Sequence, residues 1–298
     1  VEVLKGPSSV EYGSDGLAGT IAYFTKDPSD LASLDNPYTS ISLAYDNSSN
    51  QEKTNFLSAF VGEKFDLLIQ LVDRNLEETE LHRDFKLSAN PLEANQQSLL
   101  SKILYSPTKN LKVTMIADLQ DWEGEWEIKS DERFIYFPSP RLISSSAGDD
   151  EGSRERFTLK LDDSKSNLFY DQASIVVYSQ QTEQSQTTVQ NQVSFYSGMQ
   201  AAPTPTMRVR DFDFNQSIDG LSFEAYKTKG IHQIVYGVNL DSTQTERPRM
   251  LTEINLITGI PTNSVDGETY PNKTFPDSET DRRALFFNDR INISNSQI

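Results

Sequence analysis

Cysteine is absent, and histidine nearly so: the 298 residues include only His82 and His232. Lack of cysteine is compatible with an oxidising, periplasmic or surface location, and by itself selects nothing more. The two histidines are far apart in sequence, and no cluster meets the spacing of a metal site. Nor is there a nucleophile beside a base, so an enzyme is the least supported class. No run of 18 apolar residues occurs, which excludes a membrane-spanning helix. Basic residues are scarce, 27 Lys and Arg against 44 Asp and Glu for a net charge of −17, and this argues against nucleic-acid binding. Hydrophobic residues make up only 36% and mean hydropathy is −0.54. That is low for a globular core of this size, but ordinary for a membrane barrel with a polar inner face.

What the chain does have is alternation. Phe65, Leu67, Ile69 and Leu71 share one parity, with Asp66, Gln70 and Arg74 on the other. Leu111, Val113, Met115, Ala117 and Leu119 stand opposite Lys112, Thr114, Asp118 and Gln120. Similar runs cover Ile41 to Tyr45, Phe157 to Leu161, Ile234 to Leu240 and Leu285 to Ile293. Period-two alternation is the mark of a half-buried strand.

The breaks supply a second argument. Short ones at 62–64, 106–110, 162–167 and 227–230 alternate with mostly long, polar ones at 46–53, 82–95, 127–153, 186–206 and 246–281. Tight turns at one end and extended loops at the other are the rhythm of an outer-membrane barrel. A soluble sandwich has no reason to gather its long loops at one end. The segment 208–226 changes parity at Asp219-Gly220. A glycine β-bulge there keeps the strand continuous and the rhythm intact. That gives about ten strands, and it puts Asp211 and Asp213 on the inward, polar face.

The opening stretch is VEVLKGPSSVEYGSDGLAGTIAYFTKDPSD. Glu2, Lys5, Gly6, Pro7, Tyr12, Gly13, Gly16, Gly19 and the run Thr25-Lys26-Asp27-Pro28 are its distinctive residues. Read alone, it is strand, glycine-rich crossing, strand, with glycines that let the backbone pass close to a wall. The string resembles the end of the plug domain of TonB-dependent outer-membrane receptors, and its continuation is similar to the haem and haemoprotein branch of that family. Ala18 departs from the glycine many relatives carry. The strict motif covers about a tenth of the chain. The resemblance implies an all-β fold: residues 1–37 are the end of an α/β plug and a linker, and 38–298 the first half of a transmembrane antiparallel β-barrel. Such transporters have about 22 strands. The chain opens without Met, inside a strand, and reads as a piece of a longer protein whose export signal, coupling segment and remaining strands lie elsewhere.

The family resemblance also implies an importer, not an enzyme. Partners would be the TonB complex, outer-membrane lipid, and haem, a haemoprotein or an iron–siderophore as transported ligand. It gives Lys5 a role, pairing with acidic residues of the barrel wall beyond Ile298. A passive porin-like or adhesin-like barrel is the other reading, although a simple pore needs no plug. Among loop residues, His82 opens the second long loop and imidazole is a usual axial ligand of haem iron. Tyr136 lies in the apolar patch Phe134-Ile135-Tyr136-Phe137, which could touch an apolar ligand or a protein. Trp122 and Trp126 read as interface aromatics. The acidic runs 123–127 and 149–151 could bind a cation, but fit a strand entering its loop better. His232 is expected at the short-turn rim.

Overall fold

A computed structural model describes residues 2–5, 19–81, 84, 89–137, 140–195, 203–272 and 276–291. β1 (Glu2–Lys5) and β2 (Gly19–Ala22) form an antiparallel hairpin of their own. The wall begins with β3 (Tyr38–Asp46), β4 (Gln51–Val61), β5 (Phe65–Glu77), β6 (Leu92–Tyr105) and β7 (Leu111–Glu127). The short β8 (Phe134–Ile135) precedes β9 (Arg141–Asp163), β10 (Gln172–Ser194), β11 (Thr204–Lys229) and β12 (His232–Glu246). Between β12 and β17 (Ser278–Ile291) lie β13 (Arg249–Asn255), β14 (Pro261–Thr262), β15 (Ser264–Val265) and β16 (Glu268–Thr269).

Ten long strands follow one another antiparallel in the order β3-β4-β5-β6-β7-β9-β10-β11-β12-β17, as in part of a barrel wall. β11 is shared: Asn215–Lys229 pairs with β12, and Thr206–Phe212 above it pairs with β13. Short turns fall at 62–64 and 106–110 as the sequence puts them, and at 164–171 and 230–231, a few residues later than expected for the other two. The long breaks do not stay loops. β9 and β10 run for 23 residues and β11 for 26, whereas crossing a bilayer takes about 9–11. The segment 46–53 narrows to a turn at 47–50, and most of 127–153 and 186–206 is strand. Hydrophobic alternation marks only strands with one apolar and one polar face. Beyond the apolar band a strand needs only its ladder hydrogen bonds, and Gln- and Thr-rich stretches such as 180–192 supply them without the pattern.

Cross-strand pairing assigns every wall residue to a face. One face carries an apolar band: Ile103, Met115, Leu159, Val177, Leu221 and Leu240 lie in one lateral row. These side chains are half-exposed and line a shallow depression of about 960 Å³. The other face is largely polar and receives residues 25–32, with Pro28 packed on β4 and β5 over the buried Ala59 and Leu68; it is the inner face below.

β11 is continuous through Asp219-Gly220, but without a bulge: Gly220 pairs with Tyr178 and Asp241, and the register runs unbroken on both sides. Phase is therefore kept. Odd residues of β11 stay on the banded face, which turns Asp211 and Asp213 outward and Phe212 and Phe214 inward, the reverse of the sequence expectation. The parity change that signalled a bulge is a change of environment along one strand. The bulge that does occur lies at Asn191/Gln192, between β9 and β10.

Candidate functional site

Lys102, on the inner face of β6, is the anchor for the chain that enters the wall. Its side chain is only 9% exposed. It donates to the Thr25 carbonyl and hydroxyl and to the Lys26 carbonyl, and it pairs with the Asp27 carboxylate. Lys112 adds a second cation 3.7 Å from Asp27. Burial opposes ionisation of Asp27, but hydrogen bonding and charge from Lys102, then Lys112, outweigh it and hold the carboxyl below its usual range. The carboxylate of Asp30 closes the following turn by accepting from the Asp27 N–H at 2.7 Å.

Higher on the inner face, aromatic rings lie over cross-strand glycines. Trp122 covers Gly152, Trp126 covers Gly148 and Tyr178 covers Gly220. Both tryptophans therefore belong to the inner face, not to a lipid-facing girdle: even positions of β7 point inward along its whole length. Arg156 stands over the Tyr178 ring at 5.2 Å, and Arg154 is bonded to Asp118 at 2.7 Å.

The two faces differ in charge. Above the apolar band, the banded face carries a lateral ladder of Glu77, Glu93, Glu125 and Asp149, each directly opposite the next. Glu123 and Glu151 form a second such pair. These are the acidic runs of the sequence, and they are strand residues; among the described residues no group arranged to hold a metal is found. Of the wall lysines and arginines, only Lys227, Lys229 and Arg283 share that face, and Lys102, Lys112, Arg154, Arg156, Arg208 and Arg210 are among those inside.

At the top, the inner face is closed by a polar core. Arg208, 4% exposed, donates to Glu253 at 2.5 Å and forks onto Asp266 at 2.8 and 3.2 Å. Those bonds, with charge from Arg208, Arg141 and Arg210, hold the Asp266 carboxyl low against the opposing effect of its burial. Gln192 donates to Thr206 and Glu253, and Gln190 to Asp131 and Ser146. The loops carrying Asp131 and Asp266 are thereby fixed to β9–β13. Beside them Phe134 gathers Tyr136 and Phe195, with ring centroids 4.7 and 5.7 Å away.

The candidates from sequence scatter over this frame. Tyr136 and Phe137 are 79% and 84% exposed at the upper rim. Lys5 is exposed and pairs with Gly19 at the end of the β1–β2 hairpin, where Gly19 has φ 147°; Glu2 pairs with Ala22. Gly6, Pro7, Tyr12, Gly13, Gly16 and His82 lie outside the described residues. His232 sits at the short-turn rim as expected, its Nδ1 2.7 Å from Asp289. Sequence reasoning missed Lys102, whose partners are remote in the chain, and the pairing of Phe212 and Phe214 with arginines, which parity hid.

A wall of long antiparallel strands, apolar-banded on one face and holding an entering segment on the other, is the architecture of a partial β-barrel. No family model matches the chain. It is similar to haemoglobin-binding protein A of Haemophilus influenzae, 30% identical over 131 residues, which are 41% of this chain and 13% of that protein. Haemoglobin-haptoglobin-binding protein A of the same organism is 27% identical over 129 residues, 40% of this chain and 12% of the relative. A haemoglobin and haemoglobin-haptoglobin-binding protein A is 29% identical over the same length. The matched region thus spans about an eighth of these curated relatives.

Proposed function

We propose that the chain is part of an outer-membrane receptor that captures a haemoprotein and imports its haem, driven by TonB. A haem-related receptor is what the named relatives support; energisation, the plug and the exact ligand are this reading's own. The observation that carries it is the attachment of residues 25–32 to the inner face through Asp27 and Lys102. A passive pore has no use for a segment fastened inside its wall. An energised importer needs a plug, and the segment just before the first wall strand is where such a plug would be tethered. The apolar band fits the bilayer and the acidic ladder above it fits water. In this arrangement the rim with Tyr136 and Phe137 meets the carrier protein, and the basic inner face meets what is released from it. An iron–siderophore would use the same inner face.

The test is growth of an iron-starved, haem-requiring strain that carries the full-length protein, on haemoglobin as sole iron source, with and without TonB. Growth that needs both receptor and TonB is expected. Uptake that persists without TonB would overturn the importer reading and leave a passive barrel.

A further inference from the structure

A second apolar row crosses the banded face, far from the band itself. Cross-strand pairing sets Phe134 beside Leu142, Leu142 beside Val193 and Val193 beside Pro205. Leu256, just after β13, completes the row, its N–H donating to the Pro205 carbonyl at 3.0 Å. Val193 and Pro205 are odd positions of β10 and β11, as Val177 and Leu221 of the band are, so both rows share one face. Phe134, Leu142 and Leu256 are exposed and the other two half-buried. The row has a stiff base. Strand ladders join it, and the Asn255 side chain closes the turn after Leu256, its Oδ1 accepting from the Ile257 and Thr258 N–H groups at 2.9 and 3.0 Å.

Between the two rows the face is acidic. On β9, β10 and β11 it carries Asp149, Glu151, Glu155, Glu183, Asp211 and Asp213, and among the described residues no lysine or arginine of these strands shares that stretch. The arginines nearest to it turn inward: Arg249 and Arg247 lie over the Phe212 and Phe214 rings, 4.2 and 5.1 Å from their centroids.

That pattern selects the occupant. Val193 lies sixteen residues beyond Val177 on β10. At about 3.3 Å per residue this is roughly 53 Å of strand, which even tilted by about 45° exceeds the apolar height of a barrel, about 25 Å. On the receptor reading lipid covers the band, so it does not also cover the row. A second copy standing in the same bilayer would bring its own acidic stretch to the same height, and the two would repel. The loops of Asp131 and Asp266 are held to the inner face by Gln190 and Arg208, away from the row. What fits is a folded protein with an apolar footprint and basic residues along the edge that meets the acidic stretch. Exposed apolar patches mark such interfaces, and opposite charge beside them speeds encounter.

We propose that the row from Phe134 to Leu256 docks a soluble, basic-edged protein on the outer flank of the wall, which for the proposed receptor is the haem carrier. This deepens the receptor reading and rests on it. The experiment uses the full-length receptor in detergent, with haemoglobin as probe and haemin as control. Leu142→Ser with Leu256→Ser should weaken haemoglobin binding at least about tenfold, as loss of two interface anchors does, and leave haemin binding unchanged. In wild type, amides 256–260 should exchange several-fold more slowly once haemoglobin is bound, a measurement that needs no variant to fold. Haemoglobin binding should also weaken several-fold between about 0.05 and 0.5 M salt, as screening removes the attraction of opposite charges. Undiminished haemoglobin binding by the double variant, or no slowing at 256–260, overturns the surface and leaves the receptor reading intact. Wild type that binds haemin but not haemoglobin does the same. Salt-independent binding overturns the basic edge. Binding of neither probe by wild type overturns the receptor reading and the surface with it.

Discussion

Gly237 and Phe223 approach so closely across β12 and β11 that a Cβ on Gly237 would lie 2.2 Å from the Phe223 carbonyl oxygen. Backbone cannot swing aside as a side chain can. Gly237→Ala should therefore destabilise the wall by about 1–3 kcal/mol, the usual cost of overpacking. Gly220→Ala should cost less, although its Cβ would also fall 2.2 Å from an atom, because that atom belongs to the tip of the Tyr178 ring, which is free to move. Denaturant midpoints of the two variants folded in detergent, set against wild type, check the order. A larger loss for Gly220→Ala would refute it.

Lys102→Met should release residues 25–32 without unfolding the wall. It removes one cation and three hydrogen bonds at once and leaves Lys112 as the remaining cation beside Asp27. A local loss of roughly 1–3 kcal/mol is expected from the unsatisfied carbonyls and carboxylate. Hydrogen exchange at 25–32 should rise several-fold while exchange in β9–β11 stays put. Uniformly faster exchange would mean that the attachment holds the whole wall.

Acid should loosen the same attachment. The folded-state carboxyl of Asp27 is held below its usual value, so ionised Asp27 contributes stability that is fully present above the unfolded value, about 4. That contribution is lost as pH falls from there through the folded value. Protection of residues 25–32 should be flat from pH 5 to 8 and drop below pH 4, and in Asp27→Asn the drop should disappear. An unchanged acid profile in Asp27→Asn would assign the effect to another group.

Glu125→Gln should stabilise the upper wall. Glu125 lies directly opposite Glu93 on one side and Asp149 on the other. Like charges facing each other across strands are unfavourable by roughly 0.2–1 kcal/mol a pair, and salt screens them. The gain should show as a higher unfolding midpoint at low ionic strength and shrink in molar salt. A gain independent of salt would point to packing instead.

Much of this architecture was legible in the sequence, and the misreadings share one cause. The row from Ile103 to Leu240 was readable because those residues form an apolar band on one face, and alternation marks such a face. Trp122, Trp126, Phe212 and Phe214 were not, because above the band both faces carry polar side chains and an apolar one no longer marks the banded face. There its place is decided by a partner: a glycine across the strand, or a guanidinium from the next element. Gly220 was read as a bulge for the same reason. Lys102 gave no signal, since a lysine at an inward position is ordinary until Asp27 is seen beside it. The rim patch around Tyr136 could be placed from sequence, but its support by Phe134 and Phe195 could not.

On the receptor reading, Tyr136→Ala with Phe137→Ala should weaken capture of a carrier protein and spare the free ligand. Both rings are exposed at the rim, and exposed aromatics on a rigid base are typical anchors of protein interfaces. Haemoglobin binding by whole cells should fall at least about tenfold, as expected for loss of two such anchors. Growth on haemin should be unaffected. Equal loss on both would place the patch on the path of the small ligand.

At about 3.3 Å per residue, the 26 residues of β11 reach roughly 85 Å, more than twice the apolar height of a barrel, about 25 Å, even when tilted. On the receptor reading, a globular carrier gripped at the rim stays far from the bilayer, and only its prosthetic group makes the descent. Holding the carrier and moving the cargo then become separate events with separate clocks. A slow-leaving carrier would not set the pace of entry, and an emptied one could depart without anything having crossed back.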